Sequence, residues 1–268
     1  MDLGFGLTYS MGLYEQVMDN RDDIDWLEII TDQFIGRPQS LDLLAHLGEH
    51  FPLIPHGVGM SIGSDGPLDP AYVDEVARVA DAVDAPWASD HLCFTREGDL
   101  DLGTFTPVWR TRDKARQVAA KVRQVQERIN RPFLLENIVY HLDLTAELTE
   151  AELITEILEH CDGGLLLDLN NVAVNARNLG FDPYAFLDAI PLERVVQVHL
   201  AGNVVRDELG GVVLDSHDAP VGEEVFELLT YLASRQPIRA VAIERDDNMP
   251  ADFAEFKTDL DRARRAVA

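Results

Sequence analysis

Three observations predict an α/β fold closed into a (β/α)8 TIM barrel. The chain has 268 residues, close to the roughly 250 typical of such a barrel. Eight short apolar runs recur along it, each followed by an amphipathic stretch, which is the pattern of a parallel sheet with helices outside. Side chains able to hold a metal stand at or just beyond the ends of these runs, strand after strand. They converge on one point only if the strands close on themselves.

The elements follow in order. Residues 3–7 form the first strand and 12–20 the first helical stretch. Residues 26–30 are the second strand and 41–50 its helix, with Ser40 placed to cap it. The third strand, 51–55, is followed by a helix over 71–83 that Asp69-Pro70 opens. Strand 87–90 precedes helix 113–130, and strand 133–136 precedes helix 149–161. Strand 165–169 leads to a helix over 184–190 opened by Asp182-Pro183. Strand 195–200 is paired with helix 223–234, and strand 240–244 with the final helix, 251–267. The longest connections, 95–112 and 201–221, both follow strand C-terminal ends. No Ser/Gly linker, repeat or low-complexity run intervenes, so one domain over residues 1–268 is expected. An open dinucleotide-binding sheet would need a glycine-rich turn after its first strand. His56-Gly57-Val58-Gly59 lacks the third glycine of that spacing.

Composition bounds the setting. Hydrophobic residues make up 46% of the chain, enough for a sizeable core. No apolar stretch reaches about 18 residues, so no membrane span is expected. The first residues, Met1-Asp2-Leu3-Gly4-Phe5, read as a strand rather than a signal peptide. The two cysteines, Cys93 and Cys161, form neither a metal pair nor a disulfide framework, and a reducing cytoplasmic location fits. The formal net charge is −26, and only Lys114, Lys121 and Lys257 among the 22 basic residues are lysine. Acidic residues are spread along the chain rather than gathered in a tail, the pattern of a halophile's surface that salt must screen. No basic stripe exists to neutralise phosphates, so nucleic acid is not expected as a partner.

Nine side chains carry the chemistry: His56, His91, Glu136, Asp168, Asn171, His199, Asp215, His217 and Glu244. Imidazole and carboxylate without thiolate suit Fe, Zn or Mn. Asp215 and His217, two apart in an extended segment, face the same way and can grip one ion. Asp168 stands at a strand end with Asn171 three residues on, in the loop. Glu136 has two oxygens and can bridge two metals. Each residue alone has a plainer reading: a hydrogen-bonded strand-end histidine, a carboxylate paired with arginine (Glu244 with Arg245), a turn cap beside Asp218. Recurrence in phase with the strands favours metal. His46, His50 and His160 lie on predicted helices and His141 beyond the Glu136 loop, and these four are read as non-ligands. Cys93 is read as a small core residue.

The strings Pro55-His56-Gly57-Val58-Gly59-Met60-Ser61-Ile62-Gly63, Ser89-Asp90-His91-Leu92, Leu135-Glu136-Asn137 and Asp168-Leu169-Asn170-Asn171-Val172 resemble the multinuclear non-haem iron-dependent oxidases. Val174-Asn175-Ala176, Val198-His199-Leu200-Ala201-Gly202, Asp215-Ser216-His217 and Ile243-Glu244-Arg245 do so as well. That family includes the methanobactin-biosynthesis oxidase, and the eight motifs span nearly the whole chain in order. The wider resemblance is to xylose-isomerase-like barrels, endonuclease IV among them. It implies two or three irons per chain (Fe2+/Fe3+) and O2-dependent modification of a cysteine-containing precursor peptide, presented by a separate peptide-recognition protein. By the resemblance, His56, His91 and Glu136 hold one iron. Glu136 bridges to a second held by Asp168, His199 and Glu244, and Asn171, Asp215 and His217 form a third site. Glu136, Asp168 and His199 are then the catalytic core. The chain departs from the family near its N-terminus, where Leu7-Thr8-Tyr9-Ser10 and Ile30-Thr31-Asp32-Gln33 replace an Arg and a His and a Glu-Asn pair. Two alternatives share the barrel: a divalent-metal-dependent sugar isomerase or epimerase, and an endonuclease IV-like hydrolase.

Overall fold

Side chains alternate faces along a strand, so each strand of a barrel supplies one set to the interior and another to the helical layer outside. The computed structural model describes residues 2–141 and 146–268. Its elements in chain order are β1 (Gly4–Tyr9), α1 (Tyr14–Asp19), β2 (Trp26–Ile30), α2 (Leu41–Gly48), β3 (Leu53–Gly57), α3 (Pro70–Ala82) and β4 (Ala88–His91). There follow β5 (Cys93–Glu97), β6 (Leu100–Pro107), α4 (Arg112–Ile129), β7 (Phe133–Glu136), α5 (Glu150–Glu159), β8 (Gly164–Asp168), α6 (Leu169–Leu179) and α7 (Pro183–Ala189). The last are β9 (Val195–Ala201), β10 (Asn203–Arg206), β11 (Val212–Asp215), α8 (Glu223–Ala233), β12 (Ala240–Glu244) and α9 (Ala254–Val267). Eight strands close into a barrel in the order β1-β12-β9-β8-β7-β4-β3-β2, every neighbouring pair parallel. This is the predicted (β/α)8 barrel.

Two apolar clusters divide the work. The smaller one contains Trp26, Ile54, Trp87, Leu134, Leu166 and Ala242, drawn from six different barrel strands or their starts. It is the floor of the barrel interior. The larger cluster includes Leu27, Ile29, Leu53, Val79, Val118 and Val122, the opposite strand faces packed on the helices. Trp26 fits inside because β1 gives way: a Cβ on Gly6 would lie 2.4 Å from the Trp26 carbonyl oxygen and 2.7 Å from its ring. Any larger residue at position 6 therefore displaces the tryptophan. Two residues beyond the floor, on the same strands and faces, stand His56, Glu136, Asp168 and Glu244. The strand period thus delivers the candidate ligands to the mouth as one layer.

Asp69 and Asp182 cap α3 and α7 as expected, each accepting from a backbone N–H at 2.9 Å. Ser40 does not cap α2; its hydroxyl donates to the Arg37 carbonyl at 2.6 Å instead. The sequence reading leaves Asn171 in a loop, whereas it lies on α6, a helix that begins immediately after Asp168. Residues 169–176 are all buried, and its uncharged polar residues are asparagines, which read as turn formers although Asn171, Asn175 and Asn178 here donate to backbone carbonyls of neighbouring segments. The two long connections fold as antiparallel hairpins, β5–β6 and β10–β11.

Lysine persists in this chain where a buried cation is needed. Lys114 donates to the Gly63 carbonyl at 2.9 Å and to Asp65 at 2.5 Å, and Lys121 to the Ser64 carbonyl at 2.6 Å. Both are nearly buried, at 8% and 6% exposure, and together they clamp the β3–α3 loop. Lys257, on the surface, pairs with Asp23. The outer surface therefore has almost no lysine to offset its carboxylates. Screening shortens from about 10 Å at 0.1 M salt to about 3 Å at 1 M. Thermal unfolding followed by circular dichroism should show the midpoint rising steeply from dilute buffer to molar KCl. A midpoint independent of salt would show that self-repulsion does not limit this fold.

Candidate metal centre

The barrel strands, with the β10–β11 hairpin and the loop after it, bring four imidazoles and four carboxylates to one place. His56, in β3, sets its Nδ1 against the Ser89 hydroxyl at 2.9 Å and its Nε2 3.1 Å from Glu136 Oε2. His91, the last residue of β4, directs Nδ1 to the Gly57 carbonyl at 3.1 Å, and its Nε2 lies 3.4 Å from the same Glu136 oxygen. His199, in β9, is turned the other way. Its Nε2 lies 2.9 Å from Glu28 Oε1, while Nδ1 lies 3.3 Å from Glu136 Oε1 and 3.1 Å from Glu244 Oε2. Glu136 thus offers one oxygen to His56 and His91 and the other to His199. Strand register places partners side by side, with His91 opposite Glu136 and Asp168 opposite His199.

Asp168 caps α6: Oδ1 accepts from the Asn171 N–H at 2.6 Å, leaving Oδ2 for the centre. The Asn171 amide nitrogen donates to the Asn137 carbonyl at 2.9 Å, which fixes its own oxygen inward. Asp215 ends β11, and its Oδ1 lies 2.5 Å from His217 Nε2. The two meet, though not by strand alternation, because His217 has φ of 46° and the backbone turns there. His217 Nδ1 also lies 3.1 Å from Asp246 and 3.6 Å from Glu244. His46 and His50 lie at the other end of the barrel, where α2 leads into β3; with Glu49 they form a separate exposed group.

One observation tests whether these residues fit metal ions. His56 Nε2, Glu136 Oε2, Asp168 Oδ2, Asn171 Oδ1, His199 Nδ1, His217 Nε2 and Glu244 Oε2 are all buried and make no hydrogen bond of good geometry, although the three imidazole nitrogens lie 2.5–3.1 Å from carboxylate oxygens. Each orphaned buried polar atom costs about 1–3 kcal/mol, so a convergent set of them marks a place built for something else. Three groups have donor atoms within 4.8 Å of one another: His56/His91/Glu136, Glu136/Asp168/His199/Glu244 and His217/Glu244/Asp246. Glu136 and Glu244 are each shared by two groups. Inward donors backed by fixed outer partners are the arrangement of a metal site.

Electrostatics agree. Burial disfavours a charged His56, yet Glu28 and Glu136 outweigh it and hold the ring up at about 9. Burial opposes charge on His199 and His217 too, and the surrounding carboxylates raise both well above the ordinary range. Burial, then Glu136, Asp215 and Glu244, push Asp168 up. Burial opposes ionisation of Glu136 and Glu244, but the neighbouring histidines win and lower both. Protons therefore neutralise the carboxylates when no cation does.

Above this layer opens a cavity of about 810 Å3. Ile30, Val58, Phe105, Ile138 and Leu214 give it an apolar rim, and no Lys or Arg is among its lining residues. Phe105, from the β5–β6 hairpin, lies on the His91 ring with centroids 4.1 Å apart.

The family model described as "RiPP precursor modification enzyme MbnB/TglH/ChrH" matches residues 4–268. The chain belongs to this family. Among curated relatives of this MbnB/TglH/ChrH member, a UPF0276 protein of Caulobacter vibrioides is 36% identical over 268 residues, covering 98% of this chain and 95% of that protein. Among solved structures, a D-tagatose 3-epimerase-like protein superposes with a TM-score of 0.67 at 15% identity, covering 100% of this chain and 98% of that one. Endonuclease IV from Thermus thermophilus gives 0.60 at 16% identity, with 98% of each chain covered. At such identities the likeness is one of fold, and it identifies the xylose-isomerase-like TIM barrel. The family, the barrel and the donor cluster together make this a metal-binding enzyme. Among the described residues, no helix is long and apolar enough to cross a membrane.

Sequence reasoning did not single out Glu28, Gln197, Asp246 or Phe105. Glu28 had a signal: it is the lone charge inside the apolar run Trp26-Leu27-Glu28-Ile29-Ile30, and a charge there needs a partner. Asp246 and Phe105 come from a loop and a hairpin whose direction sequence does not give.

The histidine shifts fix a pH dependence. His56 is raised from 6.5 to about 9, so its contribution to stability is complete below pH 6.5 and is lost as pH rises through about 9. That loss is on the order of 3 kcal/mol. In chelator, the unfolding midpoint should fall across this window, and stoichiometric metal should remove the fall. A metal-free midpoint flat from pH 6.5 to 9 would contradict the proton-for-cation account.

Proposed function

We propose that the chain is a multinuclear non-haem iron-dependent oxidase that uses O2 to modify a cysteine of a ribosomally made precursor peptide. The observation that carries this reading is Glu136, held with one oxygen toward His56 and His91 and the other toward His199. Such a carboxylate serves two ions at once. Membership of a precursor-modifying family supplies the substrate class.

His56, His91 and Glu136 would hold one iron, and Glu136, Asp168, His199 and Glu244 a second. His217 would hold a third with Asp215 and Asn171. An imidazole–carboxylate set without thiolate suits iron, and Cys93, fully buried, is absent from the donor groups. Bound iron supplies the oxidising chemistry; the chain supplies geometry and exclusion of water. The apolar rim accepts a peptide segment, and Phe105 screens His91 from solvent. A cavity lined by carboxylates and no Lys or Arg offers a phosphorylated sugar or DNA no cationic side chain. A separate recognition protein presents the peptide, because short connections and two small hairpins leave little surface for a binding module of the chain's own.

A second reading is a metal-dependent sugar isomerase or epimerase, favoured by the barrel shared with a D-tagatose 3-epimerase-like protein. It requires divalent ions and a neutral polyol in the same cavity, without consumption of O2.

Two variants test the first reading. Glu136→Gln and His199→Ala should each reduce O2 uptake with a cysteine peptide by more than about a hundredfold, while circular dichroism reports an intact barrel. Oxyanion-stabilising and ligand groups commonly carry effects of this order. Elemental analysis of anaerobically prepared protein should find two to three irons per chain. Stoichiometric zinc with an inactive iron form, or rapid turnover of a free ketose without O2 uptake, would replace the oxidase reading by the second.

A further inference from the structure

Between the apolar floor and the metal layer lies a polar tier that neither set of residues explains. Glu28, on β2, is completely buried at 0% exposure, as is Gln197 on β9. Glu28 receives the Thr8 hydroxyl at 3.1 Å and the Gln197 amide at 2.5 Å, and faces His199 Nε2 at 2.9 Å. The Gln197 carbonyl in turn accepts from the Trp87 indole at 2.8 Å.

From this geometry we propose that Glu28 is the positioning residue that makes His199 a ligand through Nδ1. The inference rests on the metal-centre reading above. Its logic is one of donors and acceptors. An indole N–H only donates, so Trp87 fixes the Gln197 oxygen toward itself and the Gln197 NH2 toward Glu28. That NH2, 3.1 Å from His199 Nε2, can only donate, and the Glu28 carboxylate 2.9 Å from Nε2 would face a bare lone pair if that nitrogen carried no proton. The Nε2–H of His199 therefore has one acceptor, Glu28. A neutral imidazole carries one N–H and one lone pair, so the lone pair is left on Nδ1, which lies between Glu136 and Glu244.

His56 and His91 are built the opposite way. Their Nδ1 atoms are tied to Ser89 and to the Gly57 carbonyl, and their Nε2 atoms face Glu136. Both have neutral outer partners. His199 alone of these three has a carboxylate behind it, within a chain of four residues that ends on a tryptophan in the floor. A carboxylate behind an imidazole strengthens it as a donor. Glu28 thus distinguishes the His199-bound ion from the one at His56 and His91.

The test uses the full chain, stripped of metal and reloaded anaerobically with Zn2+ or Fe2+. In 15N-histidine-labelled, Zn2+-loaded wild type, one ligating nitrogen of Nδ1 type should be assigned to His199, with Nε2 ligation at His56 and His91. Glu28→Gln, which keeps the size and removes the charge, should weaken binding of the His199 ion about 10–100-fold and affect the His56/His91 ion less, because Glu28 acts on His56 only through its field. Its Fe2+ form should show one altered Mössbauer site, and Glu28→Asp should partly restore it. Glu28→Ala should abolish the Nδ1 signal. A merely structural Glu28 would lower the unfolding midpoint and leave ion affinity and spectra as in wild type, which overturns the proposal. Nε2 ligation by His199 in wild type also overturns it. If the wild type takes up no metal at the barrel mouth, the failure is that of the metal centre itself and appears before any variant is made.

Discussion

Compensation of buried negative charge governs the open end of this barrel. Glu28, Glu136, Asp168 and Glu244 are all at most 6% exposed, within reach of one another's fields. Two like charges 4 Å apart repel by roughly 4 kcal/mol at an effective dielectric of 20. Four such groups cannot remain ionised in one small volume without cations. In the bare chain, protons on His56, His199, His217 and Asp168 fill that role. Metal ions fill it better, because each satisfies several orphaned lone pairs at once. Shared use of Glu136 and Glu244 follows directly: a carboxylate with two inward oxygens neutralises two neighbours and locks their separation.

Such a cluster keeps its shape only on a rigid support. Most of its donors stand on barrel strands, four of them two residues above side chains packed in the floor, so their positions are set by the barrel rather than by loops. The exceptions are Asn171, Asp215 and His217. Asn171 is fixed because α6 starts at the strand end and Asp168 caps it. Asp215 is held by the Asn170 amide at 2.6 Å, and His217 by Asp246. On the opposite side the β3–α3 loop is tied down by Lys114 and Lys121. The Ser61 hydroxyl receives the Thr95 and Arg96 N–H groups at 2.9 and 3.1 Å, so loop and hairpin move as one. That hairpin carries Phe105 onto His91. Two of the three lysines therefore serve this buried loop, and only Lys257 acts at the surface.

The barrel was legible because its strands are short, apolar and evenly interleaved with helices. Residues 133–136 and 240–244 were bounded as found, while 51–55 lay two residues early, which placed His56 beyond a strand that in fact contains it. The donors were legible for the same reason: a polar residue recurring at strand ends repeats in phase with the fold. What failed to show was anything buried on all sides or built by nonlocal pairing. Helix α6 is buried over residues 169–176 and rich in asparagine, a poor helix former, and the hairpins depend on cross-strand partners. Asp215 and His217 were paired for the wrong reason, since a left-handed residue rather than strand alternation brings them together. Glu28 is a charge within an apolar run, but it sits mid-strand, away from the strand ends at which the other donors recur.

The acidic surface and the acidic centre look like one feature but act over different ranges. A net charge of −26 raises cation concentration around the whole molecule only where the screening length is comparable to its dimensions. At molar salt that length is about 3 Å, and the surface carboxylates no longer act at the mouth. Capture of an ion must then come from donors it touches. The buried set meets this requirement because the surrounding barrel keeps mobile ions out and preserves a low dielectric around Glu136 and His199. A protein with this surface therefore needs its binding strength concentrated in direct ligands and in the outer groups, such as Glu28 and Asp246, that orient them.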